Sequence, residues 1–193
     1  MQRLLLYALS AFTLSACAAS YGPYQVATYL PYGACCVPYG DGRQPGVAFT
    51  VPVGIPVIAP SDGVVTQTGD NTRFGGHFVR VAHGDHFDTY YTHLSSVRVR
   101  EGQAVSRGQL IGFSGGDYTG RNYLHFGLCK KGGSCISFPD SIDPQKYWLG
   151  GELKCFDPGM DFSRSSQTEL TVPLACGDHA RDLIDRAKTE NLG

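Results

Sequence analysis

Two glycine-bearing corners constrain this chain more than any other feature. Val97-Arg-Val-Arg-Glu-Gly-Gln-Ala-Val-Ser-Arg-Gly-Gln-Leu-Ile-Gly112 sets Glu101-Gly102 and Arg107-Gly108 between apolar runs too short for helices. Such corners need a positive φ, which glycine adopts without steric cost. The same grammar runs from Val47 to Leu128. Gly54-Ile-Pro-Val-Ile-Ala-Pro60 leads into Ser61-Asp62-Gly63 and then Val64-Val65. Phe78-Val-Arg-Val-Ala82 alternates apolar and polar residues, Gly84-Asp85-His86 reads as a turn, and Phe87 to His93 reads as the second strand of a hairpin. With 25 Gly, 11 Pro and 11 Tyr, the expectation is an all-β fold, a compact antiparallel β-sheet. From Gly177 to Asn191 the period changes: Leu183, Ile184 and Ala187 lie at helical spacing among charges, a short amphipathic C-terminal helix.

The 193 residues suit one domain with peripheral segments. Charged residues make up 17% and the net charge is −1, which leaves no electrostatic footprint for nucleic acid. At the N-terminus, Met1-Gln2-Arg3 is followed by the apolar run Leu4 to Ala16, too short to span a bilayer and suited to a signal-peptide core. It ends in Leu14-Ser15-Ala16-Cys17, which resembles the lipobox of bacterial lipoproteins. That resemblance implies cleavage before Cys17, its acylation, and a membrane anchor. Ala18 is not the aspartate of an inner-membrane retention signal, so the implied place is the outer membrane, facing the periplasm.

Setting Cys17 aside leaves Cys35, Cys36, Cys129, Cys135, Cys155 and Cys176. An even number in an oxidising compartment reads as disulfides. Cys129 and Cys135 enclose a short Lys-Lys-Gly-Gly-Ser loop and are the first pair, with Cys155 and Cys176 the second. Cys35 and Cys36 pair with each other or with other partners. The expected organisation is a signal peptide over 1–16, a Tyr/Gly/Pro-rich tether over 17–42, a β-domain over 43–150 and a disulfide-tied tail with the helix over 151–193.

Four motifs occur in a specific order: Gly54-Ile-Pro-Val57 with Asp62-Gly-Val-Val65; Thr89-Tyr-Tyr-Thr-His93-Leu-Ser95; Glu101-Gly-Gln with Arg107-Gly-Gln; and Leu124-His125-Phe126. Over about residues 44–128 this set resembles the LytM/lysostaphin-type zinc peptidases. The resemblance implies a duplicated-hybrid-motif β-domain acting on peptidoglycan cross-links. A catalytic zinc needs three protein ligands and an open position for water, whose pKa it lowers. The family takes two ligands from a His-x-x-x-Asp motif and the third from the last His of a His-x-His motif. The first His of that pair and a His before Leu-Ser serve as catalytic groups.

Carried over, the ligand positions fall on Gln44 and Ala48, and Tyr123 replaces the first His of the pair. His125 matches the third ligand and His93 the other catalytic histidine. An amide is a poor zinc ligand and alanine has no donor atom, so the expectation is an incomplete metal site and no bound cofactor. A three-residue turn would set His83 opposite Phe87 and, by continued register, His77 opposite His93. His77, His93 and His125 would then form a substitute zinc site. His83 and His86 read as structural or turn residues, and His179 as solvated. Tyr90 and Tyr91 read as packing.

Three functions follow. One is a non-catalytic LytM-like domain on an envelope lipoprotein. It would bind peptidoglycan, or a peptidoglycan hydrolase, through a groove of Gln44, Ala48, Tyr123 and His77 beside the vestigial His93 and His125. Another is an active zinc endopeptidase using the substitute site or a ligand from outside the motif. The third is a small-molecule or polysaccharide-binding lipoprotein whose fold only resembles this family.

Overall fold

The computed structural model describes residues 45–70, 75–151, 153, 155–162, 168–175 and 177–190, with the backbone of 20–21, 24–25 and 28–30. The fold is mostly β-sheet with one C-terminal helix. Its strands are β1 (Ser20–Tyr21), β2 (Tyr24–Gln25), β3 (Thr28–Leu30), β4 (Val47–Thr50), β5 (Pro56–Ile58), β6 (Gly63–Asp70), β7 (His77–His83), β8 (Phe87–Val97), β9 (Ala104–Val105), β10 (Leu110–Ser114), β11 (Leu124–Lys130), β12 (Ser141–Ile142), β13 (Cys155–Phe156) and β14 (Val172–Ala175). Helix α1 spans Gly177–Glu190. Among the described residues no helix is long and apolar enough to cross a membrane.

The main sheet runs β13-β14-β5-β10-β8-β11-β4-β3, and β7 adds to β8, with β6 beyond it. Strand β8 is its longest strand, pairing with β7, β11 and β10. Because side chains alternate along a strand, β8 sends Phe87, Thr89 and Tyr91 to one face. There they join Val79 and Val81 of β7, Leu124, Phe126 and Leu128 of β11, and Val47 and Phe49 of β4 in the buried core. Asp88, Tyr90 and Thr92 point to the opposite face, in register with Cys129, Gly127 and His125.

The glycine corners form as expected, with Gly102 at φ 79° and Gly108 at φ 81°. Gly108 has a second constraint, since a Cβ there would collide with the Phe156 ring. The expected hairpin also forms, with His83 opposite Phe87.

Both flanking segments add strands to the sheet. The segment read as a tether contributes β3, whose Thr28, Tyr29 and Leu30 pair with Thr50, Phe49 and Ala48. An exposed edge of β4 is a template for further backbone pairing whatever the side chains. The segment read as a tail extends the sheet from the other end: Leu174 of β14 pairs with Val57, and β13 runs parallel to β14. Ile58, Phe156, Ala175 and Ala180 make a second small core under α1. Arg107 Nη2 donates to the Glu169 carbonyl at 2.8 Å, fastening this segment to the second glycine corner. A disulfide joins Cys129 and Cys135. Cys155 is also disulfide-bonded, while its expected partner Cys176, like Cys17, Cys35 and Cys36, lies outside the described residues.

His83 is a buried polar residue at 2% exposure. Its Nδ1 lies 2.7 Å from the Asp62 carbonyl, and its Nε2 lies 2.8 Å from Thr89 Oγ1. A carbonyl only accepts, so Nδ1 carries the proton and Nε2 accepts from Thr89. Burial holds the imidazole below its ordinary 6.5. In the window between that lowered value and 6.5, the unfolded chain binds more protons than the folded one. Stability is therefore full above pH 6.5 and falls as the pH drops below it. Chemical denaturation at pH 7.5 and at successively lower pH should show this loss. The slope should shrink in His83→Gln, and His83→Ala should cost about 1–3 kcal/mol at neutral pH by stranding buried partners. A pH dependence unchanged in His83→Gln would refute the assignment.

Candidate functional site

Three strands bring the family-matched positions together. His125 on β11 pairs with Ala48 on β4 on one side and with Thr92 on β8 on the other. Ala48 and Thr92 are 4% and 3% exposed. The position expected to carry an aspartate thus lies directly across from His125 and holds a methyl group. Gln44 lies outside the described residues.

The chain also crowds the His125 ring. Gly46 has φ 110°, and a Cβ there would fall 2.6 Å from the Phe126 carbonyl oxygen and 3.1 Å from both Cε1 and Nε2 of His125. Only glycine lets the backbone pass so close. A backbone hydrogen bond ties His125 to Pro45. Proline has no N–H, so the imidazole donates to its carbonyl. Burial, and next the neighbouring His93, pull the His125 pKa down to about 4, against the raising effect of Pro45. His125 is therefore a neutral imidazole near pH 7.

His93 is 5% exposed and has φ 62°, the one positive φ outside glycine among the described residues. Left-handed backbone at a non-glycine residue costs on the order of 1–3 kcal/mol and persists where surroundings enforce it. Two partners of β8 break register here, β7 between His77 and Val79 and β10 between Phe113 and Ser114. Gly76 and Gly115 press against the His93 backbone, where added Cβ atoms would stand 3.0 Å from its Cα and 2.7 Å from its carbonyl oxygen.

Tyr123 meets His93 with ring centroids 4.3 Å apart. Burial, with Asp117 adding to it, pushes the phenol up to about 12. Beside it the turn 117–121 is locked. Asp117 Oδ1 accepts from Thr119 N at 2.9 Å and Thr119 Oγ1 at 2.6 Å, and Oδ2 accepts from Arg121 Nη2 at 2.7 Å. Burial raises the Asp117 pKa, but these bonds outweigh it and hold the carboxyl at about 2. The Arg121 guanidinium lies 5.8 Å from the centre of the Tyr123 ring, and Tyr118 stands 60% exposed at the rim. The sequence signal for this rim was the Asp-x-Thr-x-Arg spacing, an Asx-type turn that the motif reading passed over.

The structure does not assemble the substitute site. The register slips one residue between His77 and Val79, so His77 faces Leu94 rather than His93. A bulge adds a residue to one strand and redirects everything beyond it. The His77 ring is turned to Asp70, with Nδ1 2.5 Å from Oδ1. Among the described residues no group of three or more His, Cys, Asp or Glu side chains is placed to hold a metal. The donor set does not fit a three-ligand zinc: Ala48 offers no atom, and the Pro45 carbonyl takes a His125 N–H. What remains is a pair of imidazoles, a phenol and a hydroxyl, a hydrogen-bonding surface with no carboxylate ligand facing His125. Among the other histidines, His86 is exposed. His179 is not solvated as expected: its Nε2 is buried and its ring lies 5.4 Å from Phe156. Tyr91 is core, while Tyr90 is only partly buried.

Known proteins resemble this chain in sequence and fold. Residues 42–136 match the profile of Peptidase family M23. Peptidoglycan DD-endopeptidase ShyA of Vibrio cholerae is 45% identical over 89 residues, covering 45% of this chain and 20% of ShyA. Murein hydrolase activator NlpD of Escherichia coli is 31% identical over 107 residues, 55% of this chain and 26% of NlpD. The chain thus spans only about a fifth to a quarter of these relatives. The catalytic domain of lysostaphin from Staphylococcus simulans superposes with a TM-score of 0.57 at 29% identity, over 62% of this chain and 90% of that domain. The ordered motifs, the sheet that carries them and these matches agree: the chain belongs to peptidase family M23.

Proposed function

We propose that this chain is a non-catalytic member of its family, held at the cell envelope by a lipid on Cys17. It binds peptidoglycan, or a hydrolase that acts on it, through the groove around His93, Tyr123 and His125. The observation that carries this reading is the pairing of Ala48 with His125. A zinc peptidase of this type needs a donor at that position, and alanine has none to offer. The strained His93 and the locked turn at Asp117 support a groove kept rigid for recognition, since rigid sites lose less entropy on binding. Similarity to a murein hydrolase activator is compatible with a regulatory role, and similarity to an endopeptidase gives the competing one.

Three outcomes are expected. Purified chain incubated with purified peptidoglycan should release no fragments, with or without a chelator, and should carry zinc far below one per chain. Gln44→His combined with Ala48→Asp should raise zinc content towards stoichiometry by restoring the two missing ligands to His125. Chelator-sensitive cleavage by the unmodified chain would overturn the reading. In a sedimentation assay the chain should pellet with purified sacculi, and Tyr123→Ala should weaken this about tenfold, the usual scale for an aromatic anchor. Failure of the unmodified chain to pellet would shift the reading to a hydrolase partner. Finally, Cys17→Ser should move the protein from the membrane fraction to the soluble one. An unchanged distribution would rule out the lipid anchor.

A further inference from the structure

A cavity lies on the same face of the sheet as His125, and of its lining residues Tyr90 alone belongs to one of the family motifs. It has a volume of about 330 Å³ and is lined by Gln67, Arg80, Tyr90 and the backbone stretch from Gly132 to Ile136. Its floor is one cross-strand row: Gln67 pairs with Arg80, Arg80 with Tyr90, and Tyr90 with Gly127. Tyr90 stands two residues along β8 from Thr92, so the cavity begins about 7 Å from the His125 row.

The wall is built rather than incidental. The Cys129–Cys135 disulfide closes the loop. Gly132 N donates to Asp88 Oδ2 at 3.0 Å, Arg80 Nη2 donates to the Gly133 carbonyl at 2.7 Å, and Ser134 N donates to Asp140 Oδ2 at 3.0 Å. Gly127 lets Cys135 settle onto the sheet, since a Cβ there would lie 2.9 Å from the Cys135 carbonyl oxygen.

The chemistry of the walls narrows the ligand. Arg80 is neutralised by the buried Asp88, with Nη2 2.6 Å and Nε 2.9 Å from Oδ2. No uncompensated cation faces the cavity, so a carboxylate or phosphate gains little there. Strands β7 and β8 in the middle of the floor are hydrogen-bonded on both sides, so neither offers a peptide an edge for strand addition; β9 covers β6 only at Gly63 and Val64, short of Gln67. What the cavity presents is a tyrosine ring, planar guanidinium and amide groups, a serine side chain and an apolar patch at Ile136, which is 48% exposed. An aromatic face packs against the C–H face of a sugar, and planar polar groups bind its hydroxyls. A small apolar spot beside them suits an acetyl methyl.

We propose that this cavity is a saccharide subsite for an N-acetylated amino sugar of a glycan strand. The proposal rests on the reading that the domain engages peptidoglycan, and it assigns the sugar portion to a place distinct from the His93–His125 groove.

The test is an amide NMR titration of the full chain. The probes are the β-1,4-linked trimer of N-acetylglucosamine, its de-N-acetylated counterpart and a stem peptide. The acetylated trimer should move the signals of Gln67, Tyr90, Ser134 and Ile136. Binding should weaken at least tenfold in Tyr90→Ala and several-fold in Gln67→Ala, whose side chain lies on the exposed side of β6. The de-acetylated trimer should bind at least tenfold more weakly. No shifts at these residues, equal binding of the de-acetylated trimer, or shifts caused there by the peptide instead would overturn the subsite. If sacculi pellet equally with Tyr90→Ala while the trimer moves nothing, the subsite fails and the groove reading stands. If the trimer moves the cavity signals but the chain never pellets with sacculi, the groove reading shifts to a hydrolase partner and the subsite stands.

Discussion

Strand β8 is hydrogen-bonded to β7 on one side and β11 on the other, and the molecule's two faces follow from that. A strand buried in mid-sheet cannot shift by one residue without turning its whole apolar set outward. Tyr91, Thr89 and Phe87 fix the inner face by burial, so Thr92, Tyr90 and Asp88 must take the outer one. His125, Gly127 and Cys129 follow by register. The groove and the saccharide cavity are two stretches of that same outer face.

The order breaks at His93, the position that the motif resemblance matched to a catalytic histidine. Two partners of β8, β7 and β10, shift register around His93, and the strand carries a left-handed residue there. Ala48, which carries no metal donor, pairs with His125 beside this strained residue. The Pro45-Gly46 backbone lies against the imidazole and takes up one of its hydrogen-bonding sites. The absence of a carboxylate at Ala48 and the close approach of the backbone act together, and both favour a neutral imidazole at His125.

Much of the site was legible in order along the chain. Motifs with a steric or chemical basis were readable: glycine corners at 102 and 108, the Gly84–His86 turn, and the donor-free alanine at 48. The disulfide between Cys129 and Cys135 was readable too, because a short loop leaves few alternatives. The His77 pairing was not, because a single bulge changed which residue it meets. His179 was misread because a charged amphipathic pattern does not reveal that Phe156, distant in sequence, covers one edge of the ring.

The sequence by itself determined what each position can offer: which residues tolerate positive φ, which alternate, and which carry no metal donor. These are local properties of a residue and its immediate neighbours. Only the tertiary structure decided what each position meets. It set Ala48 rather than another residue across from His125, and it turned His77 to Asp70. It drew Cys155–Phe156 and Val172–Ala175 into the sheet and folded the 129–135 loop over Gly127 to wall a cavity. Those outcomes depend on strand register and on contacts between segments far apart in the chain. One inserted residue in a single strand changes them without any change in composition or motif.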